Sequence, residues 1–198
     1  MSRAEESVKK DIASYLLVAI IVVSFLACVP YSDNSLTDPG EQNIDSSLLG
    51  TWFWKDKDET GYVHIGLDED SRLLRFVMAV FDKDGELDTS QFSGHTSSIE
   101  GNTYLNLCPS NDPGGYMFVK YSVKKETLAI ALTSADAVKK AINNGSLSGE
   151  VKKGQWSSSI HITEGQKKLQ QFMIRNDKAL FPETKYLRKL KAQDNLGR

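Results

Sequence analysis

Ser47-Leu48-Leu49-Gly50-Thr51-Trp52-Phe53-Trp54, residues 47–54, begins the part of the chain that decides the fold. From Leu48 onward, short apolar or alternating runs are separated by turn residues such as Asp82-Lys83-Asp84-Gly85. This arrangement is typical of antiparallel sheets and barrels. The runs predict strands at Leu48–Trp54, Tyr62–Leu67, Leu73–Phe81, Thr89–Thr96, Thr103–Cys108, Tyr116–Val123 and Thr127–Thr133.

The C-terminal half mixes helix and strand patterns. Ser134 is a good N-cap for a short helix through Ile142, and Asn143-Asn144-Gly145 would end it. Two runs around Lys153-Gly154-Gln155 predict a hairpin, Leu147–Lys153 with Ser157–Ile162. Thr163 would cap a second helix to about Asn176, and residues 182–198 predict a basic tail or a third short helix.

These patterns predict a mainly β protein. We expect an antiparallel barrel or strongly curved sheet of about eight or nine strands, with two or three short helices in the C-terminal half. The chain divides into a signal peptide or N-terminal anchor (1–27), a flexible tether (28–47), a β domain (48–181) and the basic C-terminal segment (182–198). The tether is predicted from its Pro, Gly, Ser, Asp and Asn content.

Gly50-Thr51-Trp52, at the head of the first strand, resembles the opening Gly-x-Trp of lipocalins. The resemblance implies an eight-stranded barrel in which the tryptophan closes one end and a small apolar ligand occupies the interior. The sequence lacks the family's Thr-Asp-Tyr motif and has no clear arginine near the last strand to pack on Trp52. The order of strands, helix, hairpin and helix is similar to that of uncharacterised, lipocalin-like bacterial lipoproteins.

The N-terminus indicates where the protein works. Residues Ile12 to Ala27 are almost entirely apolar, which is short for a membrane-spanning helix, since roughly 20 apolar residues are needed. Cys28 follows Ala27, and this arrangement resembles a bacterial lipoprotein signal, in which the cysteine carries the lipid. The alternatives are an uncleaved N-terminal anchor and, third, simple secretion or a buried segment. The first two place the domain outside the cytoplasm, held on the periplasmic side or on the cell surface of a bacterial membrane.

Charge and cysteine content exclude two classes of protein. The formal net charge is −2, which argues against nucleic acid as a partner, because such proteins usually carry a basic stripe. There are two cysteines, so the fold is not a disulfide scaffold. If Cys28 is lipidated, Cys108 has no partner in the chain and is expected to be a small buried hydrophobe.

No catalytic, metal or cofactor motif stands out. His64, His95 and His161 fall in separate predicted strands, and no local pattern brings them together as zinc ligands. The hydroxyl beside His95 in sequence, that of Thr96, would point to the opposite face of the strand, which disfavours a nucleophile–base pair. We therefore expect no enzyme activity, no metal and no cofactor.

The sequence predicts a binding module whose ligand is unknown. A lipocalin-like barrel favours an apolar pocket, and the aromatic and apolar candidates for its lining are Trp54, Tyr62, Phe76, Met78 and Tyr104. The expected partners are the membrane, through lipidated Cys28 or an N-terminal helix, and a small apolar ligand or an envelope protein. The alternative is a structural subunit of a cell-envelope complex that binds no small ligand.

Overall fold

A closed barrel of eight antiparallel strands forms the centre of the molecule. The computed structural model describes residues 29–40, 44–110, 114–154 and 158–191. The strands are β1 (Tyr31–Ser32), β2 (Gly50–Lys55), β3 (Glu59–Asp68), β4 (Leu73–Asp82), β5 (Leu87–Ile99), β6 (Asn102–Pro109), β7 (Met117–Lys124), β8 (Thr127–Leu132), β9 (Gly149–Lys153), β10 (Ser158–Ile162) and β11 (Lys185–Lys189). The barrel order is β11-β2-β3-β4-β5-β6-β7-β8, and β11 also pairs with β8.

Helices and a small second sheet lie outside the barrel. Three α-helices occur within the described residues, all in the C-terminal half: α1 (Ala135–Asn143), α2 (Gln166–Arg175) and α3 (Asp177–Leu180). A 3₁₀ helix, Ser46–Leu48, precedes β2, and β1, β10 and β9 form the second sheet. The predicted fold class, a mainly β chain with an antiparallel barrel and short C-terminal helices, is confirmed.

The last barrel strand comes from the basic C-terminal segment. After β8 the chain forms α1, β9, β10, α2 and α3, and then returns as β11 between β8 and β2. Tyr186 lies opposite Ala129 of β8, and Arg188 lies opposite Phe53 of β2. The prediction of a tail or short helix from residue 182 is therefore wrong for 185–189. Leu187 is buried inside the barrel, whereas Tyr186 and Arg188 on either side of it are exposed. The segment therefore alternates as a strand does and is not an amphipathic helix.

The predicted tether also packs against the domain. The prediction of a flexible segment over 28–47 is wrong for its described residues, because Ser32 and Leu36 are fully buried. Ser32 exchanges two backbone hydrogen bonds with Tyr116, at 2.9 and 2.8 Å. The Leu36 amide donates to Oδ1 of Asn106 at 2.7 Å. These contacts join parts of the chain that are far apart in sequence, so local composition does not reveal them.

The barrel has two distinct ends. One end, which we call the mouth, contains the turns after β2 and β4, the last residues of β6 and β8, and the first residues of β7 and β11. The base is the opposite end, where the turns after β3, β5 and β7 lie and the 3₁₀ helix precedes β2. The predicted first strand thus begins later than expected, at Gly50, because Asp45 caps Ser46–Leu48 as a 3₁₀ helix.

Two hydrophobic cores stabilise this arrangement. The inner core fills the barrel, and the outer core lies between its wall and the layer of helices. Leu36, Tyr104, Phe118, Ala131, Val138, Leu169, Met173 and Leu180 belong to the outer core. One side of the barrel wall is thus covered by the outer core.

Candidate functional site

Buried side chains fill the barrel interior from the base to its middle. The inward positions there alternate along each strand, as β geometry requires. An eight-stranded barrel is just wide enough for side chains to fill it or for one small ligand to enter. The buried inward residues are Trp52, Ile65, Leu74, Phe76, Leu105, Val119, Tyr121, Leu128 and Leu187.

Trp52 closes the base. Its indole Nε1 donates to the Leu48 carbonyl at 2.7 Å, which ties the ring to the 3₁₀ helix. Lys189 Nζ lies 5.0 Å from the ring centroid, in cation–π geometry. Gly50 has φ of +122°, and a Cβ there would stand 3.0 Å from the Lys189 side chain, so this position favours glycine. Lys189 of the last strand occupies this place, because it is the residue in register with Trp52, whereas Arg188 lies opposite Phe53.

Tyr121 adds a buried polar contact at the base. Its hydroxyl donates to Oδ2 of Asp45 at 3.1 Å, and Asp45 also caps the 3₁₀ helix. Burial, followed by the charge of Asp45, raises the pKa of Tyr121 well above its usual range. The hydroxyl therefore stays neutral and serves as a donor that fixes the cap of the base.

Toward the mouth, this buried core is bordered by apolar inward side chains that are incompletely buried. Leu132 lies opposite the buried Val119, so it occupies an inward position, yet 59% of its surface is exposed. The other inward residues of this half are part-buried around the inner core. We call the set the apolar cup: Val63, Met78, Val80, Phe92, Leu107, Ile130 and Leu132. Solvent reaches this face at Leu132.

Charged groups join two strands at the rim of the mouth. Trp54 Nε1 donates to Glu59 Oε1 at 2.9 Å. Lys185 Nζ binds the same carboxylate at 2.5 Å, lies 3.4 Å from Asp56 Oδ2, and sits 5.4 Å from the Trp54 ring centroid. Backbone amides of Asp58 and Glu59 hold the pKa of Asp56 below its usual value, and Lys185 adds to this. The lysine thereby links β11 to the turn between β2 and β3.

Trp54 is positioned by the absence of a side chain opposite it. Gly61 pairs with Trp54 across β2 and β3. A Cβ at Gly61 would stand 2.0 Å from Trp54 Cζ2, so the indole occupies the space that any other residue would need. The ring therefore lies over Gly61 on the inner face of the barrel.

The five residues predicted to line one pocket are divided between two faces. Trp54, Phe76 and Met78 belong to the inner core. Tyr62 lies on the outer face, 5.1 Å from Phe53 between ring centroids. Tyr104 is fully buried in the outer core, with its hydroxyl 3.4 Å from Asp177. Strand parity explains the division, since neighbouring positions alternate between faces.

Sequence reasoning missed most of the apolar cup. Leu128, Ile130 and Leu132 occupy every second position of β8, with Ala129 and Ala131 between them, and residues two apart in a strand share one face. Leu107 and Phe92 could have been placed in the same way once the neighbouring registers were known. The charged rim was missed for a different reason: Lys185 lay in a segment predicted as a tail.

A buried polar network lies outside the barrel, against the N-terminal segment. His95 Nε2 donates to the Thr37 carbonyl at 2.7 Å, and Asn106 Nδ2 donates to Ser97 Oγ at 2.8 Å. Thr37 Oγ1 and Ser97 Oγ are also hydrogen-bonded, at 2.7 Å. Since each of these polar groups has a partner, the network holds the segment in place and presents no free nucleophile.

His95 should make folding stability depend on pH. Burial lowers its pKa from the usual 6.5, partly offset by the Thr37 hydrogen bond and by Asp38. As the pH falls below about 6.5, the His95 imidazole is protonated more readily in the unfolded chain than in the folded one, so the free energy of unfolding decreases. The free energy of unfolding is measured with urea between about pH 7 and pH 5. We expect it to decrease less in His95→Gln than in the parent chain. The exposed His64→Gln serves as control, and equal slopes in His95→Gln and the parent chain would contradict the assignment.

The three histidines do not converge. His64 Nδ1 lies 3.0 Å from the Thr51 hydroxyl, and His161 Nε2 lies 2.6 Å from Asp33 Oδ1. Among the described residues there is no group of three or more His, Cys, Asp or Glu side chains that could hold a metal ion. Cys108 is a free, part-buried thiol of β6, opposite Ser93.

The predicted anchor lies outside the described residues. This applies to the apolar run 12–27 and to Cys28, the predicted lipidation site. Within the described ranges, every helix is too short or too polar to cross a bilayer.

Comparison with known proteins gives no match to this chain. No protein-family model, no curated protein and no solved structure matches this chain. The closed eight-stranded antiparallel barrel, with Trp52 at its base, is consistent with a lipocalin-like fold.

Proposed function

We propose that this protein is a membrane-anchored, extracytoplasmic module that binds a small apolar ligand at the mouth of its barrel. The observation that carries the proposal is the apolar cup, whose inward side chains are incompletely buried inside a closed barrel. Covering such surface stabilises a complex by about 25 cal/mol for each Å² removed from water. The role is one of binding and requires no catalytic group.

The packing of the base limits the size of the ligand. Trp52 and the residues around it fill that half, so the ligand occupies only the mouth half. We therefore expect a compact or short-chain apolar body whose polar end stays at the rim.

The anchor is proposed from the sequence. Ala27-Cys28 after the apolar run supports a bacterial lipoprotein of lipocalin-like fold, and a retained N-terminal helix would place the domain in the same compartment. Mass spectrometry of the mature N-terminus tests this. A chain that begins with a lipid-modified Cys28 supports the lipoprotein, whereas an unmodified Met1 or an unlipidated Cys28 contradicts it.

Substitution of Leu132 tests the ligand site. Leu132→Lys places a charge at an inward position of the mouth that solvent already reaches, so we expect the fold to survive. Binding of the apolar fluorophore N-phenyl-1-naphthylamine should weaken by roughly tenfold, equivalent to about 1.4 kcal/mol. The measurement is a fluorescence titration of the full chain in mild detergent.

Leu67→Lys is the matched control. Leu67 pairs with Leu74 near the base, and 40% of its surface is exposed. The same change of leucine to lysine at this end should leave binding of the fluorophore unchanged. Equal losses in the two variants, or no binding by the parent chain, would contradict a ligand site at the mouth.

A structural subunit of an envelope complex is the second candidate. It is favoured by the tight packing of the base half, which needs no ligand to be filled. Native mass spectrometry of the full chain extracted from membranes separates the two functions. A co-purified small molecule supports ligand binding, and a stoichiometric protein partner without one supports the structural role.

A further inference from the structure

The described chain enters the domain at the mouth end. Ser32 forms a two-hydrogen-bond bridge with Tyr116, the residue just before the first residue of β7. The preceding residue, Tyr31, stacks on His161 with 4.6 Å between ring centroids, and His161 in turn binds Asp33. Pro30 is already buried. The point at which the chain joins the folded domain is therefore fixed beside the mouth.

The connection from the proposed anchor to this point is short. From Cys28 to Tyr31 there are three residue steps, and a fully extended chain covers at most about 3.5 Å per step, or roughly 10 Å. This holds whether the anchor is a lipid on Cys28 or a retained helix ending there. In either case, the domain cannot stand far from the bilayer at this side.

Exposed apolar side chains are concentrated at the same end. Leu132 ends β8, Leu87 begins β5 and is 56% exposed, and Phe81 lies near the end of β4. Tyr186 lies near the start of β11 and is 66% exposed. Thus four of the six large hydrophobic residues that are exposed in the described part of the chain lie at the mouth. The other two are Leu67, near the base, and Val77, in the middle of the wall.

From these two observations we infer that the mouth of the barrel rests against the bilayer surface. The inference rests on the anchor that we propose above and goes beyond it, because it specifies which end of the domain faces the lipid. The short connection supplies proximity, and Phe81, Leu87, Leu132 and Tyr186 supply apolar contact with the interface. An apolar ligand then moves between the bilayer and the apolar cup without crossing water.

The charged residues at the mouth indicate which surface charge of the bilayer is compatible with this orientation. The turn after β2 contributes Asp56 and Asp58 with Lys57, and the turn after β4 contributes Asp84 and Glu86 with Lys83. This excess of acidic groups would be repelled by an anionic surface. A zwitterionic phosphatidylcholine bilayer avoids that repulsion and is the appropriate first test.

Photocrosslinking tests the orientation without changing the protein. The full chain is reconstituted into phosphatidylcholine vesicles that contain a diazirine-labelled phosphatidylcholine, and the adducts are mapped by mass spectrometry. We expect several-fold more adducts in the peptides that contain Phe81 and Leu87 than in the peptide that contains Leu67. Leu67 is the internal control, since it is an exposed leucine near acidic residues at the opposite end. Adducts at Leu67, or equal labelling at both ends, would overturn the inference.

A longer connection tests the role of the short one. Inserting about ten Gly and Ser residues between Cys28 and Val29 adds a mean reach of roughly 18 Å. We expect adducts near Leu87 to fall several-fold, because the domain then samples other orientations. Unchanged adducts would show that the short connection does not set the orientation.

Ligand binding is measured on the same preparations to separate the two proposals. If the fluorophore binds while the mouth acquires no lipid adducts, the orientation is wrong and the binding function stands. If the mouth is labelled but the detergent-solubilised chain binds no fluorophore, the binding function is wrong and the orientation stands.

Discussion

Replacing Trp52 with alanine is expected to lower the free energy of unfolding by about 3–5 kcal/mol, the usual range for removing a large buried aromatic side chain. Trp52 is fully buried, and its Nε1 donates to the Leu48 carbonyl at the base. Its loss would leave a cavity beneath the 3₁₀ helix and an unpaired carbonyl. Equilibrium urea unfolding followed by circular dichroism measures the change.

Two smaller substitutions separate the contributions of the hydrogen bond to Leu48 and of the Lys189 cation from that of the buried ring. Trp52→Phe keeps most of the ring but removes the hydrogen bond to Leu48, so its cost should be clearly lower than that of Trp52→Ala. Lys189→Met removes the cation over the ring and should cost only about 0.5–1 kcal/mol. If Trp52→Ala lost no more stability than Lys189→Met, Trp52 would not be the residue that closes the barrel.

The strand series after Leu48 was predictable because its physical basis is local. Alternating apolar residues and turns such as Asp82-Lys83-Asp84-Gly85 specify strands whatever surrounds them. Closure of the barrel was harder to predict, because the closing strand, Lys185–Lys189, follows three helices and a hairpin. Its single buried residue, Leu187, is flanked by charged and exposed side chains, and this pattern also fits a basic helix.

The N-terminal segment shows the limit of composition as a guide. Its Pro, Gly, Ser and Asp content predicts a linker, yet Leu36 is fully buried and its amide binds Asn106. Nothing near Leu36 in the sequence indicates this partner, because the two residues meet only after the barrel forms. Pairing between distant parts of a chain is not encoded in local propensity.

The residues of the candidate site were predicted in part, and strand parity explains why the other predicted residues lie on the opposite face of the sheet. Trp54, Phe76 and Met78 share the inner face, whereas Tyr62 and Tyr104 were assigned to the wrong one. A shift of one residue moves a side chain through the sheet, so the type of a residue alone does not decide its face. Gly61 opposite Trp54 is the better guide, because a glycine beside a large ring marks an inward position in this barrel.

Asn106→Leu is the substitution expected to release the N-terminal segment. Asn106 is fully buried, accepts from the Leu36 amide and donates to Ser97 Oγ and to the His95 carbonyl. Leucine has a similar size but removes the acceptor of the Leu36 amide and the two bonds that Asn106 donates, and a buried unpaired group costs about 1–3 kcal/mol. We expect a loss of stability of about 3 kcal/mol and faster hydrogen exchange at the Leu36 amide.

Asn143→Leu is the control, since Asn143 is exposed at the end of α1 and should change neither quantity. Full protection of the Leu36 amide in Asn106→Leu would show that the segment is held by its other contacts, such as the Ser32–Tyr116 bridge. Loss of protection would show that Asn106 holds the part of the segment around Leu36, independently of the Ser32–Tyr116 bridge at its start.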